Sequence, residues 1–205
     1  MMPESGPRKL VLASANRGKQ REFAALLACH GIELMLQSEL GVDSIAETGT
    51  SFEANALLKA RHAAERTGLA ALADDSGLEV DALQGRPGVH SARYAGECAS
   101  DEQNNAKLLL ELRSVPRTER TARYRCVLAL VRTATDAAPL LASGTWCGSI
   151  ALAGAGQRGF GYDPLFVPEG FLISAAQLAP ELKNRLSHRG QALAQLLRQI
   201  DEVHW

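Results

Sequence analysis

The sequence has little of several features that would assign a protein to a specialised class. Its 205 residues include four cysteines, Cys29, Cys98, Cys126 and Cys147, which are widely spaced and form no Cys-x-x-Cys pair. A disulfide framework and a zinc site are therefore disfavoured, and free buried thiols are expected. Lysine and arginine total 22 against 23 aspartate and glutamate, so the positive excess needed for broad binding to nucleic acid or membranes is missing. A small anionic ligand stays possible, because a few local cations can bind it.

Long hydrophobic runs are also missing. No window approaches the ~20 apolar residues of a transmembrane helix. Residues 1–7 lack the apolar stretch of a signal peptide, and we interpret them as a disordered tail. We expect a cytoplasmic protein with a single domain of two lobes over residues 8–205, since no linker or internal repeat is visible. Its 46% hydrophobic content is that of an ordinary globular chain.

Strand-like and helix-like segments alternate, which indicates an α/β or mixed α+β fold. The short apolar run at residues 10–13 predicts a buried strand, and alternation over residues 121–132 predicts another. Thr50 and Glu53 form a potential capping box for a helix that ends at Gly68. Further strands are predicted at 69–73, 78–82 and 140–152, and further helices at 23–30, from 100, at 174–182 and at 187–203.

The segment Ser14-Ala15-Asn16-Arg17-Gly18-Lys19 lies between a predicted strand and a predicted helix. A helix N-terminus presents unpaired N–H groups to an anion, and Lys19 adds a full positive charge. The spacing is not that of a Walker A loop. The alternatives are a phosphate cradle and an ordinary N-cap at Asn16 beside a solvated lysine.

Two adjacent acids occur in Asp74-Asp75-Ser76-Gly77, after an apolar run. At the end of a strand they would suit a hard divalent cation, Mg²⁺ when a phosphate supplies other ligands. One of them could also accept a proton from water. Glu47 is a further acid within possible reach of the same ion. The alternatives are an ordinary turn for the Asp-Ser-Gly segment and a solvated loop position for Glu47.

The loop at residues 154–163 contains a literal Gly-x-Gly-x-x-Gly, at Gly154, Gly156 and Gly159. A dinucleotide fingerprint must sit between a first strand and a helix, and Pro164 argues against a helix here, so an oxidoreductase is disfavoured. Phe160 and Tyr162 instead suit either a surface for stacking a flat ring or a loop that is held by burying its aromatic residues.

The segment at residues 183–190 brings Lys183, Arg185, His188 and Arg189 together just ahead of a predicted helix, with Ser187 as its N-cap. Cations are unfavourable at a helix N-terminus, which suggests that they bind phosphate or donate to carbonyl oxygens. The alternative is a solvated basic turn. Together these segments predict a binding site for a magnesium-bound nucleotide. No Ser-His-Asp or Cys-His nucleophile is visible in the sequence, which favours hydrolysis by direct attack of water.

Seven segments occur in an order that resembles the inosine triphosphate pyrophosphatase family, over residues 9 to 200. Each is weak alone, but the ordered set is specific. The segments are 14–19, Ser51-Phe52-Glu53-Ala54-Asn55-Ala56, 74–78, Gly85-x-Pro87-Gly88, Ser91-Ala92-Arg93-Tyr94, 159–164 and Ser187-His188-Arg189-Gly190.

The resemblance implies Mg²⁺-dependent hydrolysis of dITP, ITP and XTP to the monophosphate and pyrophosphate, which removes deaminated purines from the nucleotide pool. It implies an elongated homodimer subunit whose active site lies in a cleft between two lobes around a long mixed sheet. Asp75 would be the catalytic proton acceptor and, with Glu47, a metal ligand. The implied substrate-binding residues are Ser14, Ala15, Asn16, Arg17, Gly18, Lys19, Ser76, Phe160, Gly161, Tyr162, Asp163, Lys183, His188 and Arg189.

Ala15 departs from the family pattern, which has glycine at this position, and we expect slightly altered cradle geometry with activity retained. Donors from Arg189 and His188 would pair with the 6-oxo group of hypoxanthine or xanthine and leave the 6-amino group of adenine unpaired. Such a mismatch is worth ~1–3 kcal/mol. The competing function is a nucleotide-binding regulator without turnover, which has no need of the acidic pair.

Overall fold

The computed structural model describes residues 8–14, 20, 23–24, 27 and 30–203. The predicted tail at residues 1–7 and the cradle residues 15–19 lie outside this part of the chain. The strands are β1 (Arg8–Leu12), β2 (Ile32–Leu36), β3 (Ala71–Val80), β4 (Thr121–Val131), β5 (Leu140–Ile150) and β6 (Phe166–Pro168). The α-helices with fully described bounds are α1 (Phe52–Thr67), α2 (Asp101–Glu111), α3 (Pro180–Leu186) and α4 (His188–Glu202).

The predicted mixed α/β class is confirmed by a six-stranded sheet in the order β2-β1-β3-β4-β5-β6. Strand β1 pairs in parallel with β2 and β3, whereas β5 and β6 are antiparallel. The parallel pair β1–β3 needs a crossover, and α1 lies in that connection. No helix in the described part of the chain is long and apolar enough to cross a membrane.

The chain forms two compact units. The first contains the described residues up to Asp75, those from Val127 to Ala142 and those from Leu193 onward; the second contains Ser76–Cys126 and Ser143–Ala192. Each unit has its own core. In the first, small residues of α1 such as Ala56 and Ala60 pack against Val11 and Ala73. In the second, the core is aromatic and aliphatic and includes Tyr124, Trp146, Tyr162, Phe166 and Leu108.

Helix α1 begins one residue later than the predicted capping box. Ser51 is the N-cap, and its hydroxyl accepts a hydrogen bond from the Ala54 N–H at 3.1 Å. Because Ser51 rather than Thr50 caps the helix, the proposed box of Thr50 with Glu53 is wrong. Gly68 ends the helix in a left-handed conformation, as predicted.

The structure also corrects the prediction for Asp74-Asp75-Ser76-Gly77. These residues are neither a turn nor a strand end, because β3 runs unbroken from Ala71 to Val80. Aspartate is disfavoured in strands, and burying both acids requires partners elsewhere in the fold. The pairing of Asp75 with α1, described below, supplies partners for one of them.

Several other boundaries shift. The predicted helix at 174–182 is a short 3₁₀ turn, Ala175–Gln177, followed by α3, which starts at Pro180. Strand β6 follows the glycine-rich loop and was not predicted from the sequence. Cys126 is buried as expected, but Cys98 and Cys147 are exposed free thiols, contrary to the prediction.

Candidate active site

Helix α1 presents two polar side chains to the middle of β3. Asn55 and Lys59 are one helical turn apart and so lie on one face of the helix. Both reach Asp75 within the first compact unit. Neither residue was a predicted site residue, although Asn55 lies in one of the quoted family segments. Because an asparagine and a lysine spaced by four are common on any exposed helix face, the sequence carried little signal for this pair.

The Lys59 ammonium group bridges two carboxylates. Its Nζ lies 2.6 Å from Glu47 Oε1 and 2.9 Å from Asp75 Oδ1. Burial lowers the pKa of Lys59, but the charges of Asp75, Asp74 and Glu47 together outweigh that effect and raise it. Lys59 is therefore held charged, and it neutralises carboxylates that would otherwise repel one another.

Asn55 is fully buried and connects Asp75 with the loop that carries Glu47. Its Nδ2 donates to Asp75 Oδ2 at 3.2 Å, and its Oδ1 accepts from the Gly49 N–H at 2.8 Å. Each of the two oxygens of Asp75 thus has a donor from α1. We call Glu47, Asn55, Lys59 and Asp75 the acid cluster.

The acid cluster fits a magnesium ion that is bound together with a phosphate. Hard cations prefer carboxylate oxygens, and Mg²⁺ is usually held by one or two carboxylates plus substrate phosphates rather than by an all-protein cage. Consistently, the described residues contain no group of three or more His, Cys, Asp or Glu side chains suited to hold a metal. The predicted ligands Glu47 and Asp75 are brought together by a shared cation, Lys59.

Asp74 is almost fully buried, with 1% of its surface exposed. It adjoins Asp75 on β3, and successive side chains of a strand point to opposite faces. The contacts from α1 described above go to Asp75. Of the two acids, Asp75 is therefore the one that accepts hydrogen bonds from both Asn55 and Lys59.

Of the predicted phosphate cradle, only Ser14 is within the described residues. It follows β1, is half-buried, and its N–H donates to the Leu12 carbonyl at 3.0 Å. Residues 15–19, including Ala15 and Lys19, lie outside the described part, so the cradle remains a prediction.

In the second compact unit, cations gather around Phe160. Lys183 Nζ lies 5.1 Å and Arg189 Cζ 4.9 Å from the ring centroid, within cation–π range. Arg189 also donates to Ser76 Oγ at 2.9 Å. Lys183 forms an ion pair of 2.7 Å with Asp163, and their side chains are only 8% and 4% exposed. We call Ser76, Phe160, Asp163, Lys183 and Arg189 the cation cluster.

The placement of these cations corrects the sequence interpretation. Lys183 and Arg185 lie in the last turn of α3, where positive charge is favourable, rather than ahead of a helix. Only His188 and Arg189 are in the first turn of α4, and the Ser187 hydroxyl caps that turn by accepting the Gly190 N–H at 3.2 Å. A side chain at Gly190 would overlap the Asn184 carbonyl, so glycine permits the close succession of the two helices.

His188 is buried and stacks on Tyr124, with ring centroids 4.6 Å apart and planes inclined by 7°. The Tyr124 hydroxyl donates to Asp163 Oδ1 at 3.4 Å. Burial, and then the charge of Asp163, raise the pKa of Tyr124 well above its usual range. The hydroxyl therefore stays protonated, and the stack fixes the plane of the imidazole.

The two aromatic residues of the glycine-rich loop have different environments. Phe160 is half-buried and keeps part of its ring accessible, as a stacking surface requires. Tyr162 is 3% exposed and donates through its hydroxyl to the Ser91 carbonyl at 2.8 Å. The side chain of Tyr162 is thus part of the core, which does not fit the prediction that it offers a stacking surface.

The chain is similar to several known proteins. Residues 10–199 match the model of the Ham1 family. The chain is 55% identical over 196 residues to a dITP/XTP pyrophosphatase of Vibrio vulnificus (95% of this chain, 98% of that protein), and 56% identical over 193 residues to one of Methylococcus capsulatus (94% and 96%). It resembles the solved HAM1 protein of Coxiella burnetii with a TM-score of 0.88 and 47% identity, over 95% of this chain and 99% of the other. The chain therefore belongs to the Ham1 family.

Proposed function

We propose that this protein hydrolyses non-canonical purine nucleoside triphosphates, dITP, ITP and XTP, to the monophosphate and pyrophosphate. The observation that carries the proposal is the acid cluster, in which Glu47 and Asp75 converge on one ammonium group in a family whose relatives are named dITP/XTP pyrophosphatase. A binding protein without turnover would not need two converging carboxylates. This reaction would remove deaminated purine triphosphates from the nucleotide pool.

Asp75 is the residue that we assign to accept a proton from the attacking water. Its oxygens are oriented by Lys59 and Asn55, so the carboxylate is fixed before substrate arrives. Water adds to the α-phosphorus and gives its proton to Asp75, the bond from that phosphorus to the oxygen that bridges to the β-phosphorus breaks, and pyrophosphate leaves with the bonding electron pair. Mg²⁺ held by Glu47 and Asp75 would neutralise phosphate charge during this step.

The cation cluster would recognise the base. Phe160 offers a stacking surface, and stacking of a base on an aromatic ring is worth ~1–3 kcal/mol. Arg189, Lys183 and His188 carry donors that suit a 6-oxo group, whereas the 6-amino group of adenine would leave a donor unpaired at a cost of ~1–3 kcal/mol. Ser14 to Lys19 would hold the triphosphate, as the family resemblance implies.

Three further assignments complete the proposal. Mg²⁺ is the divalent ion that best suits two carboxylates and a polyphosphate. A homodimer is proposed from the family resemblance alone. The cytoplasm is proposed because free nucleotides are found there.

Product analysis tests the function. The protein is incubated with dITP, XTP, dATP or dGTP, with and without Mg²⁺, and the products are separated by ion-exchange chromatography. We expect monophosphate and pyrophosphate from dITP and XTP, only with the metal. Release of orthophosphate and a diphosphate, or no turnover, would contradict the proposal.

A further inference from the structure

The loop that carries Phe160 has little regular structure of its own. Gly159 and Gly161 adopt left-handed conformations, with φ of 79° and 62°. Glycine-rich segments have many accessible conformations, so holding the Phe160 ring in one place requires contacts from outside the loop. Contacts to Asp163 and Ser91 hold the residues on either side of Gly161.

Gly161 itself is held from α2. Its N–H donates to Asp101 Oδ2 at 2.6 Å, and its carbonyl accepts from Asn105 Nδ2 at 2.9 Å. Asp101 and Asn105 are one helical turn apart, so both side chains come from one face of α2. The contacts span 60 and 56 positions of the sequence and lie within the second compact unit.

The helix that supplies these side chains is itself well anchored. Ser100 caps α2 in a capping box with Gln103, as the sequence predicts. The adjacent Asn104 is buried, accepting from the Ala95 N–H at 2.8 Å and donating to the Ala92 carbonyl at 3.1 Å. The clamp on Gly161 therefore acts from a rigid element.

Among the described residues, the hydrogen bond from Nδ2 to the Gly161 carbonyl is the one that the side chain of Asn105 makes. The side chain of Asn105 therefore acts on the loop through its hydrogen bond to Gly161.

We propose that Asp101 and Asn105 are positioning residues for base recognition, which hold both peptide groups of Gly161 and so fix the Phe160 ring beside Lys183 and Arg189. This inference rests on the proposed function, because it assigns the loop to the purine base. Both residues act on the loop that we assign to the base and not on the residues that we assign to the chemical step, so their loss should weaken substrate binding without slowing that step.

The test compares KM and kcat for dITP in Asn105→Leu, a near-isosteric variant without hydrogen-bonding groups. We expect KM to rise about tenfold, because the half-buried Gly161 carbonyl loses its donor, and kcat to stay within about twofold. Asp101→Ala should also raise KM, whereas Asp101→Asn keeps an accepting oxygen and should stay near the wild-type value. Glu102→Ala is the matched control, since it removes an exposed acid from the same first turn.

Thermal unfolding of each variant separates positioning from a structural role. A lowered melting temperature with unchanged KM in Asn105→Leu would overturn the inference, and so would a fall in kcat at constant KM. If Asn105→Leu does not fold, the contrast between Asp101→Ala and Asp101→Asn decides, and equal KM values for the two would overturn it. Inactive wild-type protein would instead count against the proposed function.

Discussion

In the acid cluster two carboxylates share one ammonium group, whereas in the cation cluster one carboxylate, Asp163, neutralises a buried lysine. The ion pair of Lys59 with Glu47 is more accessible than that of Lys183 with Asp163. Lys59 and Glu47 are 13% and 24% exposed in their side chains, against 8% for Lys183 and 4% for Asp163. Electrostatic contacts weaken with solvent access, so we expect the Lys59–Glu47 pair to exchange partners more readily than the Lys183–Asp163 pair.

The difference matches the two tasks that we assign. A metal–phosphate site must release Lys59 from its carboxylates, at least in part, when a divalent ion enters. A base-recognition site must instead keep its donors in place to distinguish an oxo group from an amino group. A preorganised, dry environment makes that discrimination stronger.

The strongest test of the acid cluster is Asp75→Asn. We expect kcat to fall by about 10³-fold or more, because the amide neither accepts the proton of water nor binds the metal well. The variant should stay folded, since Lys59 can still donate to the remaining amide oxygen and keeps its ion pair with Glu47. Pyrophosphate release and circular dichroism measure the two effects.

Glu53→Gln is the control for this variant, because Glu53 is an exposed acid on the same helix that supplies Lys59. It should retain wild-type kcat. Near-normal turnover in Asp75→Asn would show that Asp75 is not the catalytic proton acceptor. The assignment of the chemical step to the acid cluster and of base recognition to the cation cluster would then be wrong.

The buried character of the cation cluster is tested by Lys183→Met. Removing one partner of a buried ion pair leaves the other uncompensated and costs about 3 kcal/mol. For a chain of this size that corresponds to a fall in melting temperature of roughly 6–12 °C. Differential scanning calorimetry measures it.

Lys59→Met is the matched comparison in the acid cluster. We expect its melting temperature to fall by less than half as much, and added Mg²⁺ to restore part of the loss. An equal or larger fall in Lys59→Met would contradict the proposed difference in rigidity.

A smaller effect is expected from Phe160→Ala. Loss of base stacking should raise KM for dITP by about 5- to 150-fold, since stacking is worth ~1–3 kcal/mol per base. Phe160→Trp keeps an aromatic face and should stay within a few-fold of wild type. If alanine and tryptophan gave the same KM, Phe160 would not be the stacking surface.

The smallest effect concerns an ion pair outside both clusters. Hydrogen bonds from Arg132 lower the pKa of Asp136 to about 2, against its ordinary unfolded value of ~3.9. A carboxyl with a lowered folded pKa stabilises the protein above pH ~4, and this contribution is lost as the pH falls from ~4 towards 2.

Asp136→Asn should therefore lower the melting temperature by a few degrees at neutral pH and by progressively less below pH 4, since exposed pairs contribute about 1 kcal/mol or less. Asp201→Asn, which removes an exposed acid from α4, is the control. If the difference in melting temperature between Asp136→Asn and wild type stayed the same below pH 4, the lowered pKa of Asp136 would be contradicted.

The sequence pattern predicted most elements because their signals are local. Alternation in β4, the cap at Ser100 and the stop at Gly68 each depend on neighbouring residues alone. The Asp74-Asp75-Ser76-Gly77 segment shows where local reasoning fails. Its composition is that of a turn, but contacts from α1 allow a continuous strand to carry buried acids.

The candidate site also has one part that was predicted from the sequence and another that only the structure shows. The sequence by itself determined the chemistry, because the identities of Glu47, Asp75, Phe160, Lys183 and Arg189 and the order of their segments point to a metal-bound purine nucleotide. Only the tertiary structure decided which groups hold them: Lys59 and Asn55 for the acids, and Asp101 and Asn105 for the loop of Phe160. Those residues act across 12 to 60 positions of the chain, and hydrogen bonds of such separation leave no periodic trace in the sequence.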